Sequence, residues 1–206
     1  MRQYRGCSRF MYATRTVGAD GKVTYGTPKE VAPVKAISID MPAGSEPVFA
    51  DNIKQDETFA ATIATKNFDT MRIDPLVVAE LLGNSKVEFG GKQGVATDPD
   101  ASARPAFAFG YALHDGNVDD PCEVVWAYNG KVKSISKAAN SIDLGTGSEG
   151  QTVVIEFSAP EEPFTKTGKR NLDFNMPVNG KEDATFVKQW FTQVVTPDSE
   201  PFTSSN

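Results

Sequence analysis

The sequence predicts a mainly β fold, an antiparallel β-sandwich or barrel with one or two flanking short α-helices. Three observations carry this. Segments that alternate apolar and polar residues outnumber those with a helical period. The chain holds 17 Gly and 13 Pro among 206 residues, with 13 Phe as its main large apolar residue, a mix suited to short strands joined by many turns. The two helical segments are short and scattered among strands, which argues against a βαβ arrangement.

Taken in order, residues 9–16 and 22–26 read as two strands joined by the turn Gly18-Ala19-Asp20-Gly21-Lys22, and Thr27-Pro28 ends that hairpin. Residues 34–41 alternate cleanly and give a strand with one buried face. The stretch from Pro42 to Pro47 interrupts it, residues 48–55 resume as an extended segment, and 57–66 continue as a strand. Residues 74–83 form a helix: Asp74 can cap it, Pro75 occupies its first position and Gly83 stops it. Residues 90–94 and 97–104 are polar and turn-rich. Strands follow at 106–113 and 123–128. Asn129-Gly130 is a two-residue hairpin signal leading into an alternating segment, 131–136. Further strands lie at 152–158 and 171–175. Residues 183–194 repeat Phe186, Val187, Trp190, Phe191 and Val194 on one helical face, with Asp183 as the cap. No repeat or linker divides the chain. The expectation is one domain over 1–206, with a flexible N-terminal segment (about 1–16) and a C-terminal tail (about 197–206).

The net charge is -6, from 21 basic and 27 acidic side chains, and no three Lys or Arg are consecutive. That balance argues against gripping a phosphate backbone as the main task. Cys7 and Cys122 show no metal-binding spacing, and two free thiols are expected. The segment MRQYRGCSRFMYA lacks the apolar run of a signal peptide, and no stretch approaches a membrane span of about 20 apolar residues. The expectation is a soluble protein assembled in the cytoplasm.

Catalytic chemistry finds little support. His114, the only histidine, precedes Asp115 and reads as a solvated loop residue. No nucleophile elbow, phosphate-binding loop, zinc helix or dinucleotide fingerprint occurs. Asp115, Asp119 and Asp120 lack the spacing of a calcium loop. Glu161-Glu162 is a carboxylate pair with no partner acid. Phe107, Phe109 and Tyr111 could form a stacking platform for bases. Their alternating neighbours Ala108, Gly110 and Ala112 are not cationic, so a sandwich core is the better reading. No catalytic residue, cofactor or metal is expected.

An ordered set of segments resembles the major tail protein family of long-tailed bacteriophages. The set begins with Gly26-Thr27-Pro28 and the strand at 34–41. Next comes Glu46-Pro47-Val48-Phe49-Ala50-Asp51-Asn52-Ile53, similar to the family's aromatic-Ala-Asp-Asn stretch. The helix at 74–83 and Arg104-Pro105-Ala106-Phe107-Ala108-Phe109-Gly110-Tyr111 follow. The strands at 123–128 and 152–157 and a last helix ending in Trp190-Phe191 complete it. The similarity covers roughly residues 20–195. Residues 1–12 and the insert at 145–150 depart from the family's pattern.

The resemblance implies a β-sandwich or barrel subunit that forms rings, usually sixfold, stacking into a hollow tail tube through which DNA passes. Its partners would be copies of itself and other phage tail proteins. DNA would not be bound specifically, and no membrane would be involved. The protein would reside in the virion tail after assembly in the host cytoplasm. Alternatives are a monomeric β-sandwich binding or decoration module of a virion, and an enzyme whose site is assembled from scattered carboxylates. Within the tube reading, the segment 42–57 carries assembly more than folding, and Phe49, Asp51, Asn52 and Ile53 are the assembly-contact candidates. The competing reading is an ordinary long hairpin whose Phe49 and Ile53 fold back on their own core.

Overall fold

A computed structural model of the chain describes residues 4–40, 63–98, 100, 104–116, 121–137, 150–179 and 182–202, together with the backbone of strands at 45–50 and 53–59. The elements run β1 (Gly6–Val17), β2 (Val23–Tyr25), β3 (Lys29–Glu30), β4 (Val34–Asp40), β5 (Ser45–Ala50), β6 (Ile53–Phe59) and β7 (Ala64–Thr70). Then come α1 (Pro75–Leu82), β8 (Ser85–Phe89), β9 (Lys92–Ala96), β10 (Phe107–His114), β11 (Pro121–Ile135), β12 (Gln151–Phe157), β13 (Asp173–Pro177) and α2 (Ala184–Trp190). One nine-stranded sheet has the order β2-β1-β10-β11-β12-β7-β4, with β13 beside β11 and β3 beside β1. Among the described residues it does not close into a barrel. Hairpins β5–β6 and β8–β9 each form a two-stranded sheet of their own. Every strand pairing among the described residues is antiparallel, so the predicted mainly β, antiparallel class is the observed one.

Strand β10 sets the layering, because its side chains alternate between two cores. Phe107, Phe109 and Tyr111 enter the first, among Phe10, Phe68, Val132, Val153, Ile155, Phe157 and the α1 residues Val78 and Leu81. Phe10 stacks on Phe68 at 4.1 Å between ring centroids, and Phe109 meets Phe157 edge-on. Ala108 and Ala112 face the second core, with Trp126, Tyr128, Trp190 and Phe191. Gly110 leaves room there for the Trp126 ring; a Cβ would stand 2.9 Å from it. The indole N–H of Trp126 donates to the Trp190 carbonyl at 2.9 Å, and the Tyr128 hydroxyl donates to the Val195 carbonyl at 2.6 Å. These bonds fasten α2 and its sequel to the sheet.

Helix α1 starts and stops as its sequence dictates. The Asp74 carboxylate accepts from the Leu76 N–H at 2.7 Å, and Gly83 takes a left-handed conformation at φ 73°. Helix α2 is shorter than 183–194, and Asp183 makes no side-chain cap bond. Its carboxylate instead accepts from the Asn179 N–H at 2.6 Å.

Other expectations are corrected. Asn129-Gly130 does not turn a hairpin; β11 runs straight through it. The Asn129 amide donates to the Ser158 hydroxyl at 2.8 Å, and its backbone bends at φ 51°. Gly130 lies where a Cβ would be 2.6 Å from the Phe157 ring and 2.9 Å from the Phe109 ring. The dipeptide thus serves a bulge and a close ring approach, not a turn. The segment expected to be flexible at 1–16 carries β1 from Gly6 onward, with Phe10 and Tyr12 buried, because β10 and β2 flank it. The expected tail at 197–206 is tied down as far as it is described: Phe202 meets Phe186 edge-on, and Asp198 accepts the N–H groups of Thr165 and Lys166. The expected strand at 57–66 is divided between β6 and β7. The polar stretch at 90–94 contains the tip of the β8–β9 hairpin.

Candidate functional site

Three features bear on function: a long ribbon, its root, which is buried against the first core, and a surface cleft at the margin of the second. The ribbon comes from the segment nominated for assembly. β4 pairs with β7 as far as Asp40 opposite Thr65. Pairing resumes within one residue of that register, from Ser45 opposite Phe59 in β5–β6 to Ala50 opposite Ile53. Phe49 lies in β5 opposite Lys54, and Ile53 opens β6. The side chains of Phe49 and Ile53, and residues Asp51 and Asn52 entirely, lie outside the described residues. Pro47 does not interrupt the strand as its type suggested; it sits inside β5, paired with Glu57. A strand paired on one side only tolerates a residue without an N–H.

At the root, β7 alternates strictly: Ala64, Lys66, Phe68 and Thr70 are buried, and the residues between them are not. Lys66 is only 1% exposed. Its ammonium donates to the Tyr111 hydroxyl at 3.0 Å and to the Asp173 carboxylate at 2.8 Å, and it lies 5.2 Å from the Phe157 ring centroid. Burial pushes its pKa below the ordinary lysine value, while Asp173 pulls the other way. Burial likewise pushes the Tyr111 hydroxyl up, with Asp173 adding to the effect. The pair spans a seam in the sheet. β11 pairs with β13 through Glu123–Ala127 and with β12 from Gly130 to Ile135, and Lys66 reaches from the strand beyond β12 to the first residue of β13. The sequence did carry a signal for this: Lys66 is in phase with Ala64 and Phe68, whereas Thr65, Asn67 and Asp69 are all polar.

The cleft has a volume of about 790 Å³ and lies between the β1–β2 turn, the loop at 160–164 and the segment at 192–199. Tyr25, Phe164 and Val194 supply apolar wall, and Asp20, Glu162 and Asp198 carry acidic charge. Burial pushes the Tyr25 hydroxyl up to about 12, partly opposed by Arg15. Backbone N–H groups of Lys166 and Thr165 hold the Asp198 carboxyl below its ordinary value.

His114 is not the solvated loop residue that its sequence context suggested. It ends β10, is buried, and lies 2.7 Å through Nε2 from the Ser8 hydroxyl. A Ser–His contact is one part of a nucleophile–base pair, but neither residue borders the cleft. Glu161 is ion-paired with Arg15, and Glu162 is exposed. Asp119 and Asp120 lie outside the described residues. Among the described residues no group of three or more His, Cys, Asp or Glu could hold a metal ion. Cys7 and Cys122 are not joined in a disulfide, and burial raises the pKa of Cys7. No helix among the described residues is long and apolar enough to cross a membrane.

No protein-family model matches the sequence, and no curated protein matches it either. Among solved structures, the chain is similar to one in the anti-feeding prophage cap, the AFP tube terminating cap, at 9% identity and a TM-score of 0.43, covering 83% of this chain and 89% of that one. It is also similar to one in the PVC sheath-tube complex of an extracellular contractile injection system in its extended state, at 9% identity and a TM-score of 0.41, covering 83% of this chain and 90% of that one.

Proposed function

We propose that this chain is a structural subunit of a phage tail tube, one that self-assembles into stacked rings enclosing a conduit for DNA. The observation that carries the reading is the β5–β6 ribbon. It continues the β4–β7 register yet forms a two-stranded sheet of its own. An isolated two-stranded hairpin is marginal in water, and its outer edges present unpaired N–H and C=O groups. A neighbouring subunit covering the ribbon would satisfy those groups and bury Phe49 and Ile53. A ribbon on one surface received by a different surface makes a heterologous contact, which closes a ring or propagates a filament. The net charge of -6 suits a lumen past which a polyanion slides by repulsion. The family resemblance in the sequence supplies the sixfold ring, the other tail proteins as partners and the virion tail as location. In this reading the chain is a single domain that acts without a catalytic centre.

The cleft favours a second reading, a monomeric binding or decoration module of a virion, since a concave apolar surface with convergent polar groups is what small ligands use. Size-exclusion chromatography with light scattering, plus negative-stain images at high protein concentration, separates the two. The tube reading expects concentration-dependent growth into hollow filaments of constant diameter. A chain that stays monomeric at every concentration overturns it.

A further inference from the structure

The β8–β9 hairpin exposes apolar surface that its own chain leaves uncovered. Gly90 and Gly91 turn it at φ 58° and 72°, the paired positive values of a tight primed turn. In the register, Phe89 stands opposite Lys92 and Val87 opposite Gly94, so Val87, Phe89 and Lys92 share one face. The other face holds Lys86, ion-paired at 3.5 Å with Glu80 of α1, and Val95, which is half-buried. The hairpin therefore leans on α1 with one face and turns the other outward. On that outward face Phe89 is 87% exposed and Val87 51%. Gly94 adds no side chain beside them, so the Phe89 ring stands as an isolated apolar knob with one cation, Lys92, beside it.

The cleft has the complementary chemistry. Tyr25, Phe164 and Val194 form an apolar part of its wall among threonines and Gln193, and Asp20, Glu162 and Asp198 outweigh its single cation, Lys22. Asp20, whose carboxylate accepts the Lys22 N–H at 3.1 Å, and Glu162 are both exposed at the rim, where an incoming lysine can reach them. The two surfaces belong to opposite sides of the β10–β11 layer. The hairpin rests on α1, which closes the first core, whereas Tyr25, Phe164 and Val194 of the cleft pack against the second. A knob on one side and a hole on the other can meet only between copies, and that contact repeats head to tail.

We infer that the tip of the β8–β9 hairpin docks in the 20–28/160–164/192–199 cleft of a second copy of this chain, with Phe89 seated among Tyr25, Phe164 and Val194 and Lys92 beside Glu162. This deepens the assembly reading and rests on it only for the existence of self-association.

The test places the photocrosslinker p-benzoylphenylalanine at position 89 of the full chain and maps crosslinked peptides by mass spectrometry. Species of twice the chain mass should join residue 89 to peptides containing 20–28, 160–164 or 192–199. Phe89→Ser should raise the concentration needed for association on the order of ten- to a hundredfold, since a buried Phe is worth that much. Lys92→Glu and Glu162→Lys should each reduce the crosslink, and the two together should restore it, an outcome that misfolding cannot produce. Copies that associate but crosslink elsewhere, or a double variant no better than either single one, overturn the docking and leave the assembly reading standing. Crosslinks at the cleft in small oligomers that never grow into tubes keep the docking and overturn the tube. Copies that never associate overturn both.

Discussion

Trp190→Ala removes the side chain that holds α2 to the sheet. Trp190 is fully buried, its ring lies 5.6 Å from that of Phe174 and 5.7 Å from that of Phe186, and its carbonyl receives the Trp126 indole N–H. Truncating a buried Trp costs about 3–5 kcal/mol, transfer and cavity together. In a chain of this size each kcal/mol moves Tm by about 2–4 °C, so the expected drop is roughly 6–20 °C. Trp190→Phe separates packing from polarity. The Trp190 indole N–H is buried without a protein hydrogen-bond partner among the described residues. Removing such a donor recovers part of a penalty of about 1–3 kcal/mol, which offsets much of the lost area. Calorimetry should therefore place Trp190→Phe within about 1.5 kcal/mol of the parent and Trp190→Ala far below both. Far-UV circular dichroism should show both variants still β-rich. Equal loss in the two variants, or no loss in Trp190→Ala, would refute the packing assigned to α2.

Three further outcomes follow from the same packing. Gly130→Ala drives a methyl against the Phe157 and Phe109 rings and should cost about 1–3 kcal/mol by chemical denaturation; a neutral result would mean that β11 is not bulged there. Asp173→Ala strands the buried Lys66 cation and should cost about 3 kcal/mol, the low end for breaking a buried pair because Asp173 keeps part of its surface in water, whereas Lys66→Met combined with Asp173→Leu, which removes both charges, should cost less. A lysine whose folded pKa lies below its ordinary 10.5 binds fewer protons folded than unfolded between those values, so stability from this group rises with pH through that window. The parent should gain on Lys66→Met as pH approaches 10.5, and parallel pH profiles would contradict the burial of the ammonium.

Period-2 patterning made the central strands legible because their burial is two-sided and regular: Phe107, Phe109 and Tyr111 against Ala108, Gly110 and Ala112 could face only two different cores. The cap of α1 was legible because Asp74, Pro75 and Gly83 act locally. Asn129-Gly130 misled because the same dihedral freedom serves a turn or a bulge, and only the approach of Phe157 and Phe109, distant in sequence, decides between them. Pro47 misled because a proline excludes a central strand but not one paired on a single side. The β8–β9 hairpin was hidden because it has no buried face to impose alternation; Val87 and Phe89 point outward. The cleft was beyond sequence reading, since three segments far apart in the chain form it. His114 looked solvated from its neighbours Asp115 and Gly116, and is buried because β1 lies against β10 there.

The claim most open to direct attack is that the β5–β6 ribbon carries assembly and not folding. Replacing residues 43–60 with a short Gly-Ser turn leaves the described nine-stranded sheet its own strands. Sedimentation velocity of this variant beside the parent, over a hundredfold range of concentration, reads the consequence. The variant should keep the parent's circular dichroism and cooperative melting and sediment as a monomer throughout, while the parent shifts to large assemblies. A variant that assembles as the parent does, or one that no longer folds, would contradict it.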